Sequence, residues 1–242
     1  MHETVIKDTI MNTDTEKLIN KILEQTILID SDDIPAIDLY MDQVTTFMDK
    51  HLGSSKRFDE DKIITKTMIN NYAKNELIPS PEKKKYSKEH ILMLIFIYYF
   101  KNILSINDIK TLLKPISELH FGSTKYTSLE DIYNEITTLE MDNMDTLKND
   151  ILNSVNLCDN LFSNCKNSEK DFLKQFSLIS YLCFDIYIKK QIIENIIDGI
   201  NEEDAKAKAK AKREAAAKAK AKKEAKKEAK KETKPENRTD LM

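Results

Sequence analysis

Two groups of polar side chains, close together in the sequence, have the chemistry needed to bind a nucleic acid. Asn70, Asn71 and Lys74 lie in a segment able to form a helix, and Lys83–Lys85 follow in a short loop. An Asn side chain can make two hydrogen bonds to the edge of an adenine, whereas Lys more often contacts phosphate. We therefore expect one element that contacts bases and another that contacts the phosphate backbone, with an ordinary solvated surface as the alternative.

The most apolar stretch of the chain would hold both groups in place. Residues Ile91–Phe100 are apolar on nearly every face, so a helix here must lie inside a domain. The stretch is too short to cross a bilayer, which needs about 20 apolar residues. The loop Pro79–Lys85 therefore protrudes ahead of a buried helix. The preceding helix, Thr65–Asn75, would turn Tyr72 inward and its Asn side chains outward.

Composition and helix signals predict an all-α protein. Only 3 Gly and 5 Pro occur among 242 residues, and a hydrophobic share of 40% allows a real core. Three serines stand where helix N-caps are expected: Ser87, Ser105 and Ser128, with Thr127 as the alternative to Ser128. The helix after Ser105 should end before Pro115. Another helix is predicted to open at Ser31, with Pro35 in its first turn, and to stop at Gly53.

Beyond Ser128 the apolar residues predict a helical hairpin. From Leu129 to Phe162 they recur at intervals of three and four, in a strip narrow enough for a coiled-coil seam. A second helix is predicted from Ser168 to Ile200, with a wider apolar surface that must be covered on two sides. We expect the two helices to pack together and to contact a second chain through the seam residues Ile132, Ile136, Ile151 and Val155.

The end of the chain is rich in Lys, Ala and Glu. Residues 205–242 hold 15 Lys and Arg against 6 Asp and Glu, which leaves 23 of the 38 basic and 35 of the 41 acidic side chains to the rest. The tail therefore carries a formal charge of +9 and the body −12, and within the body Lys56–His90 is the locally basic part. We predict a solvated single helix or a disordered arm that binds polyanions without sequence preference.

No residue pattern in the chain points to an enzyme, a metal site or a cofactor. A phosphate-binding loop, a nucleophile elbow and a zinc-spaced Cys/His set are all absent from the sequence. The odd number of cysteines favours a reducing cytoplasm. We interpret Cys158 and Cys165 as core side chains, with redox or metal sensing as the alternative for them and for Cys183. No secretory signal or membrane-spanning segment is recognisable, so we expect a cytoplasmic protein.

The order of these parts resembles the MerR-type transcriptional regulators, whose helix-turn-helix is followed by a wing. The matching stretches are Tyr72, Leu77-Ile78-Pro79, Lys83–Lys85, Tyr86–Ile91 and Leu104–Leu113. The wider segment from Ile34 also resembles an uncharacterised bacterial family, domain of unknown function 1836. The resemblance implies a recognition helix at Thr65–Asn75 and a wing at Pro79–Lys85. It also implies that Tyr72 faces the DNA backbone, with a ring in the core as the alternative.

These patterns predict four segments and one leading function. The segments are an N-terminal helix (1–30), a MerR-like DNA-binding domain (31–120), a helical dimerisation region (121–204) and a solvated tail (205–242). The leading hypothesis is a homodimeric transcriptional regulator, associated with the nucleoid, that binds double-stranded DNA and no membrane. Its candidate contact residues are Thr67, Asn70, Asn71, Tyr72, Lys74, Lys83, Lys84, Lys85 and Tyr86. The alternative is a helical adaptor that binds a protein, with a tail that binds polyanions.

Overall fold

The computed structural model describes residues 15–24 and 28–232. Within them the chain is mostly helical, as its composition predicts. The helices are α1 (15–24), α2 (Met41–Leu52), α3 (Lys66–Lys74), α4 (Lys88–Phe100), α5 (Ile106–His120), α6 (Leu129–Asp159) and α7 (Asn167–Glu232). Two short antiparallel strands, β1 (Leu39–Tyr40) and β2 (Lys85–Tyr86), pair with each other. None of the described helices is both long enough and apolar enough to span a bilayer.

Helix α4 is the centre of the folded body. Its side chains from Ile91 to Ile95 are at most 1% exposed, as expected for a helix that is apolar on nearly every face. It contacts β2, α5 and α6 on different sides. The Tyr133 ring of α6 packs edge-on against Phe96, and its hydroxyl donates a hydrogen bond of 2.5 Å to the Ile29 carbonyl. The first turns of α6 are thereby fixed to this core.

The start of α2 differs from the sequence prediction. Residues Ser31–Asp33 form a short 3-10 turn, in which the Asp30 carboxylate accepts a 2.9 Å hydrogen bond from the Asp32 amide. The chain then extends through β1, and the helix begins only at Met41. The prediction of a helix opening at Ser31 is wrong because residues 39–40 pair with a strand 46 residues later in the chain, a contact that local signals do not reveal.

Helix α5 also runs further than predicted. It continues through Pro115 to His120, whereas the sequence predicted an end before the proline. A proline inside a helix costs about 3 kcal/mol or more through the missing hydrogen bond and the steric clash. Pro115 lies on the exposed side of α5, while Ile109 and Leu113 are buried and Ile116 lines an apolar hollow with Phe96. Burial of this face offsets the cost of the proline.

The last two helices lie on either side of residues 160–166. Helix α6 starts with the predicted cap, in which the Ser128 hydroxyl accepts from the Asp131 amide at 3.0 Å. Across the connection, the Lys174 ammonium lies 3.4 Å from the Asp159 carboxylate. Helix α7 continues through Glu232, so residues 205–232 of the predicted tail are helical. By compactness the chain divides into Met1–Glu194 and Asn195–Met242.

Candidate nucleic-acid interface

Helix α3 presents a polar face to solvent. Thr67, Asn70, Asn71 and Lys74 are exposed, and their spacing of three and four residues places them on one side of the helix. On the opposite side Ile69 is completely buried. The predicted outward orientation of the two Asn side chains and of the Lys is therefore confirmed.

Local chemistry defines both ends of α3. At its start the Thr65 hydroxyl accepts a 3.2 Å hydrogen bond from the Met68 amide. At its end the Leu77 amide donates to the Tyr72 carbonyl at 2.9 Å, and the Glu76 amide to the Ala73 carbonyl at 3.1 Å. This is a Schellman motif, and Glu76 takes the left-handed backbone conformation that the motif requires, with φ of 60°. The helix is thus held at a defined length.

The three lysines that follow α3 lie in a tight hairpin. The Lys85 amide donates a 2.8 Å hydrogen bond to the Glu82 carbonyl, and Lys83 and Lys84 between them have φ of 48° and 66°. Two central residues with positive φ identify a type I′ turn, which normally contains Asn-Gly. Lys in this conformation costs roughly 1–2 kcal/mol per residue, because its Cβ approaches the following carbonyl. We call residues 82–86 the basic hairpin.

The base of the basic hairpin is tied to the core. Tyr86 is 2% exposed and stands opposite Leu39 in the two-stranded pairing. The Lys85 ammonium lies 5.2 Å from the centre of the Tyr40 ring, within the range of a cation–π contact. Lys83 and Lys84 at the tip remain exposed. The hairpin therefore has a fixed base and a charged tip in solvent.

Two of the predicted contact residues are not on the surface. Tyr72 is 7% exposed and Tyr86 is 2% exposed, and burial raises the pKa of both phenol groups. For Tyr72 the alternative of a core ring is the one observed. Tyr86 could not be assigned to the core from sequence, because its burial depends on the pairing of β2 with the distant β1. Both tyrosines position the candidate interface, and neither offers an exposed ring to a ligand.

Helix α2 joins the two exposed groups. It contacts α3, and it contacts both β1 and β2, the second of which belongs to the basic hairpin. An ion pair between Lys66 and Asp42 also links the first turn of α3 to the first turn of α2. Val44 and Met48 on the inner face of α2 are completely buried. The exposed face of α3 and the tip of the hairpin are therefore held by one rigid element.

Several positive charges on this surface are not neutralised. Lys66 is paired with Asp42, and Lys110 with Glu76 at 2.9 Å, where the hydrogen bond from Lys110 lowers the pKa of the Glu76 carboxyl. Among the described residues, Lys74, Lys83 and Lys84 form no ion pair. These three ammonium groups are available to an anionic ligand.

A buried histidine lies behind the basic hairpin. The Nδ1 atom of His90 accepts a 3.0 Å hydrogen bond from the Ser87 amide, and its ring packs edge-on against Tyr86 and Phe121. Its Nε2 is buried and makes no hydrogen bond of standard geometry with the described part of the chain. Burial lowers the pKa of His90, and the Pro79 carbonyl, Asp38 and Glu82 oppose that shift only in part. The ring is therefore a neutral support of the hairpin.

We expect this domain to lose stability as the pH falls below about 6.5, the ordinary pKa of an unfolded histidine. Between that value and the lower pKa of folded His90, the unfolded chain binds more protons, so the free energy of unfolding decreases with acidification. His90→Gln, which can still accept the Ser87 amide, should remove this component. Urea unfolding at pH 7.5 and 5.5 measures it, and an equal pH dependence in both proteins would contradict the assignment.

The cysteines and acidic residues form no recognisable metal site in the part of the chain that the structure describes. Cys158 is buried, and burial raises the pKa of its thiol, with Asp159 adding to the shift. Cys165 is half-buried and Cys183 is exposed. A thiol with a raised pKa is a poor nucleophile and a poor metal ligand, which favours the core interpretation for Cys158.

Comparison with known proteins identifies one part of the chain. No curated protein and no solved structure matches it. The segment of residues 29–136, which contains both α3 and the basic hairpin, matches the model of the family described as Domain of unknown function (DUF1836).

Proposed function

We propose that this chain is a DNA-binding protein that acts as a dimeric transcriptional regulator. Helix α3 would be its recognition helix and the basic hairpin its wing. The observation that carries the proposal is the exposed face of α3 held on the same scaffold, α2, as a hairpin whose tip is made of lysines. The MerR-type order of motifs in the sequence supports it independently.

The side chains on α3 suit the major groove of DNA. That groove is about 12 Å wide and admits an α-helix, and its base edges form distinct patterns of donors and acceptors. Asn70 and Asn71 can each offer a paired donor and acceptor, which favours adenine. Thr67 and Lys74 lie at the two ends of the same face, where a hydroxyl and an ammonium group can contact phosphate.

The basic hairpin suits the phosphate backbone beside the groove. Its two exposed lysines occupy positions where Asn-Gly would cost less, so their presence has no explanation in folding. Strained residues of this kind are found at functional sites, and an unpaired ammonium group at a protruding tip binds phosphate. The strain thus supports a role for Lys83 and Lys84 in ligand contact.

Charge distribution supports one direction of approach. The body carries a formal charge of −12, whereas Lys56–His90 holds nine basic side chains against six acidic ones. DNA is therefore repelled by most of the body and attracted to this segment and to the tail. A regulator of this kind would work in the cytoplasm at the nucleoid, with the tail adding contacts to polyanions that are independent of sequence.

The two Asn side chains provide the most specific test. Replacing Asn70 or Asn71 by Ala should weaken binding to a preferred site by about 1–3 kcal/mol and leave binding to random duplex nearly unchanged, because only base contacts distinguish sequences. The preferred site is selected from a random duplex library, and competition binding measures the difference. Asn107→Ala, at an exposed position of α5, is the matched control.

The alternative function, a helical adaptor, is favoured by the acidic body and by exposed apolar side chains on α7. If both Asn variants bind the selected site as the natural protein does, those residues do not contact bases. If no duplex library yields a preferred site at all, the DNA-binding proposal is wrong and the adaptor takes its place.

A further inference from the structure

Helix α7 carries a regular apolar stripe that nothing in the chain covers among the described residues. Phe172, Phe176, Ile179, Cys183 and Ile186 follow one another at intervals of four, three, four and three. All five are exposed, and the four large ones are between 58% and 67% exposed. We call these five residues the α7 stripe.

The stripe faces away from α6. Lys174, which pairs with Asp159 at the end of α6, is 4% exposed and lies two residues from both Phe172 and Phe176. Two residues along an α-helix correspond to a rotation of about 200°, so Lys174 and the stripe are on opposite sides of α7. No part of the chain between residues 28 and 232 covers the stripe, which leaves it open to another molecule.

The seam predicted on α6 is a weaker candidate for that role. Val155 is 5% exposed within a single chain, and Ile132 and Ile151 are half-buried. Of the four seam residues only Ile136 is exposed, at 41%. The narrow apolar repeat on α6 is largely used inside the chain, so a second chain would find little of it available.

We propose that the α7 stripe is covered by the α7 stripe of a second copy of this chain. This inference rests on one part of the proposed function, namely that the regulator is a dimer. What it adds is the surface through which the two chains contact each other. Alternating intervals of three and four give the 3.5-residue period of a coiled-coil seam, which fits a helix with the same period. The stripe contains no charged residue, so its partner must be apolar, and the stripe itself meets that condition.

The exposed area agrees with a homodimer. With side-chain areas of 150–250 Å² for aromatic residues, the stripe and the neighbouring Tyr187 expose about 600 Å² per chain. Two copies would then bury about 1,200 Å² in total, the lower end of the range for a stable specific interface. The charged residue that ends the stripe, Lys190, is already paired with Glu194 at 3.5 Å.

A second apolar face on α7 serves as the internal comparison. Tyr181, Phe184, Ile188 and Ile192 are also exposed, but their intervals of three, four and four break the alternation at Ile192, and a seven-residue repeat would place Gln191 there. Phe184 is 65% exposed, as much as the stripe residues, and follows Cys183 directly. It therefore lies about 100° from the seam on the same helix.

The first test measures self-association of the full chain without DNA by sedimentation equilibrium. Ile179→Asp should raise the dimer dissociation constant roughly 100-fold or more, because each dimer would bury two carboxylates in an apolar seam. Phe184→Asp should leave it within about threefold, and circular dichroism checks that both variants keep their helices. A natural protein that is monomeric at tens of micromolar overturns the proposal. So does dissociation by Phe184→Asp in place of Ile179→Asp.

Cross-linking locates the seam directly. In a chain with Cys158→Ser and Cys165→Ser, diamide oxidises two Cys183 thiols to one disulfide, accepting two electrons and two protons. A parallel pair in register brings the two Cys183 side chains within disulfide reach. An antiparallel pair with fully overlapping stripes brings Cys183 opposite position 176 and position 179 opposite its own counterpart, so cross-linking then requires Ile179→Cys. Either result supports the proposal and fixes the orientation.

The controls separate this inference from DNA binding. A chain with Cys183→Ser and Phe184→Cys should not cross-link, and cross-linking of this chain alone would overturn the seam. A dimer through α7 that binds no DNA would refute the proposed function and leave this inference intact. A monomer that binds DNA selectively would refute this inference and leave the proposed DNA binding intact.

Discussion

Replacing Lys83 by Asn and Lys84 by Gly should make the protein more stable and its complex with DNA weaker. Asn-Gly is the preferred pair for a type I′ turn, so the change removes the unfavourable positive φ of two lysines, at roughly 1–2 kcal/mol each. Because the new Gly loses more conformational entropy on folding, by about 1 kcal/mol, the free energy of unfolding should rise by about 1–3 kcal/mol. Without the two ammonium groups that hold phosphates, the affinity for every duplex should fall roughly 60-fold at about 0.1 M salt. Urea unfolding and binding titrations measure the two effects.

The opposite signs of these effects make the test specific. The slope of log affinity against log salt should become shallower by about 1.8, which is about 0.9 for each phosphate that is no longer neutralised. Lys166→Ala with Lys170→Ala removes the same charge near the start of α7 and should leave both quantities nearly unchanged. A stabilised hairpin variant with unaltered affinity would show that the lysines do not contact DNA, and the conformation would then lack a functional reason.

Truncating the chain before Ala205 should weaken binding to all DNA sequences alike. The removed segment contains 15 basic and 6 acidic side chains, and in its described part the residues from Lys206 to Ala216 are exposed along α7. Every phosphate that the tail no longer neutralises lowers the affinity roughly eightfold at about 0.1 M salt, because its counterions are not released. Binding to a selected site and to random duplex, measured across a salt series, should fall by the same factor.

A tail with the same composition in shuffled order is the matched control. It should restore the affinity, because binding by charge alone does not depend on the order of residues. A truncated protein that loses its preference for the selected site, while its affinity for random duplex stays the same, would show that the tail reads sequence. In that case the assignment of sequence preference to the body alone is wrong.

The sequence by itself determined the elements whose signals are local. Helix α4 is buried on nearly all sides because its own residues are apolar on every face. The cap at Ser105, and the cap at Ser128 as one of two residues predicted there, follow from a hydroxyl that accepts a hydrogen bond from the amide three residues later. The outward direction of Asn70 and Asn71 follows from the positions of Ile69 and Tyr72 on the same helix. In each case the interacting groups are within one or two turns.

The parts that sequence reasoning missed depend on contacts between distant residues. The late start of α2 and the burial of Tyr86 both result from the pairing of β1 with β2. The continuation of α5 past Pro115 depends on the neighbours of its inner face. Lys83 and Lys84 lie in a tight turn closed between Glu82 and Lys85, and the sequence did not reveal their positive φ because lysine has no preference of its own for it.

The candidate dimer surface shows the same division most clearly. Both α6 and α7 have apolar residues at intervals of three and four, so their sequences predict a seam on each without saying which faces outward. Val155 is buried and Ile179 is exposed, a difference that the intervals common to both helices do not contain. Periodicity defines which residues share a face of a helix. The tertiary structure decides which face is buried, because burial depends on what packs against it.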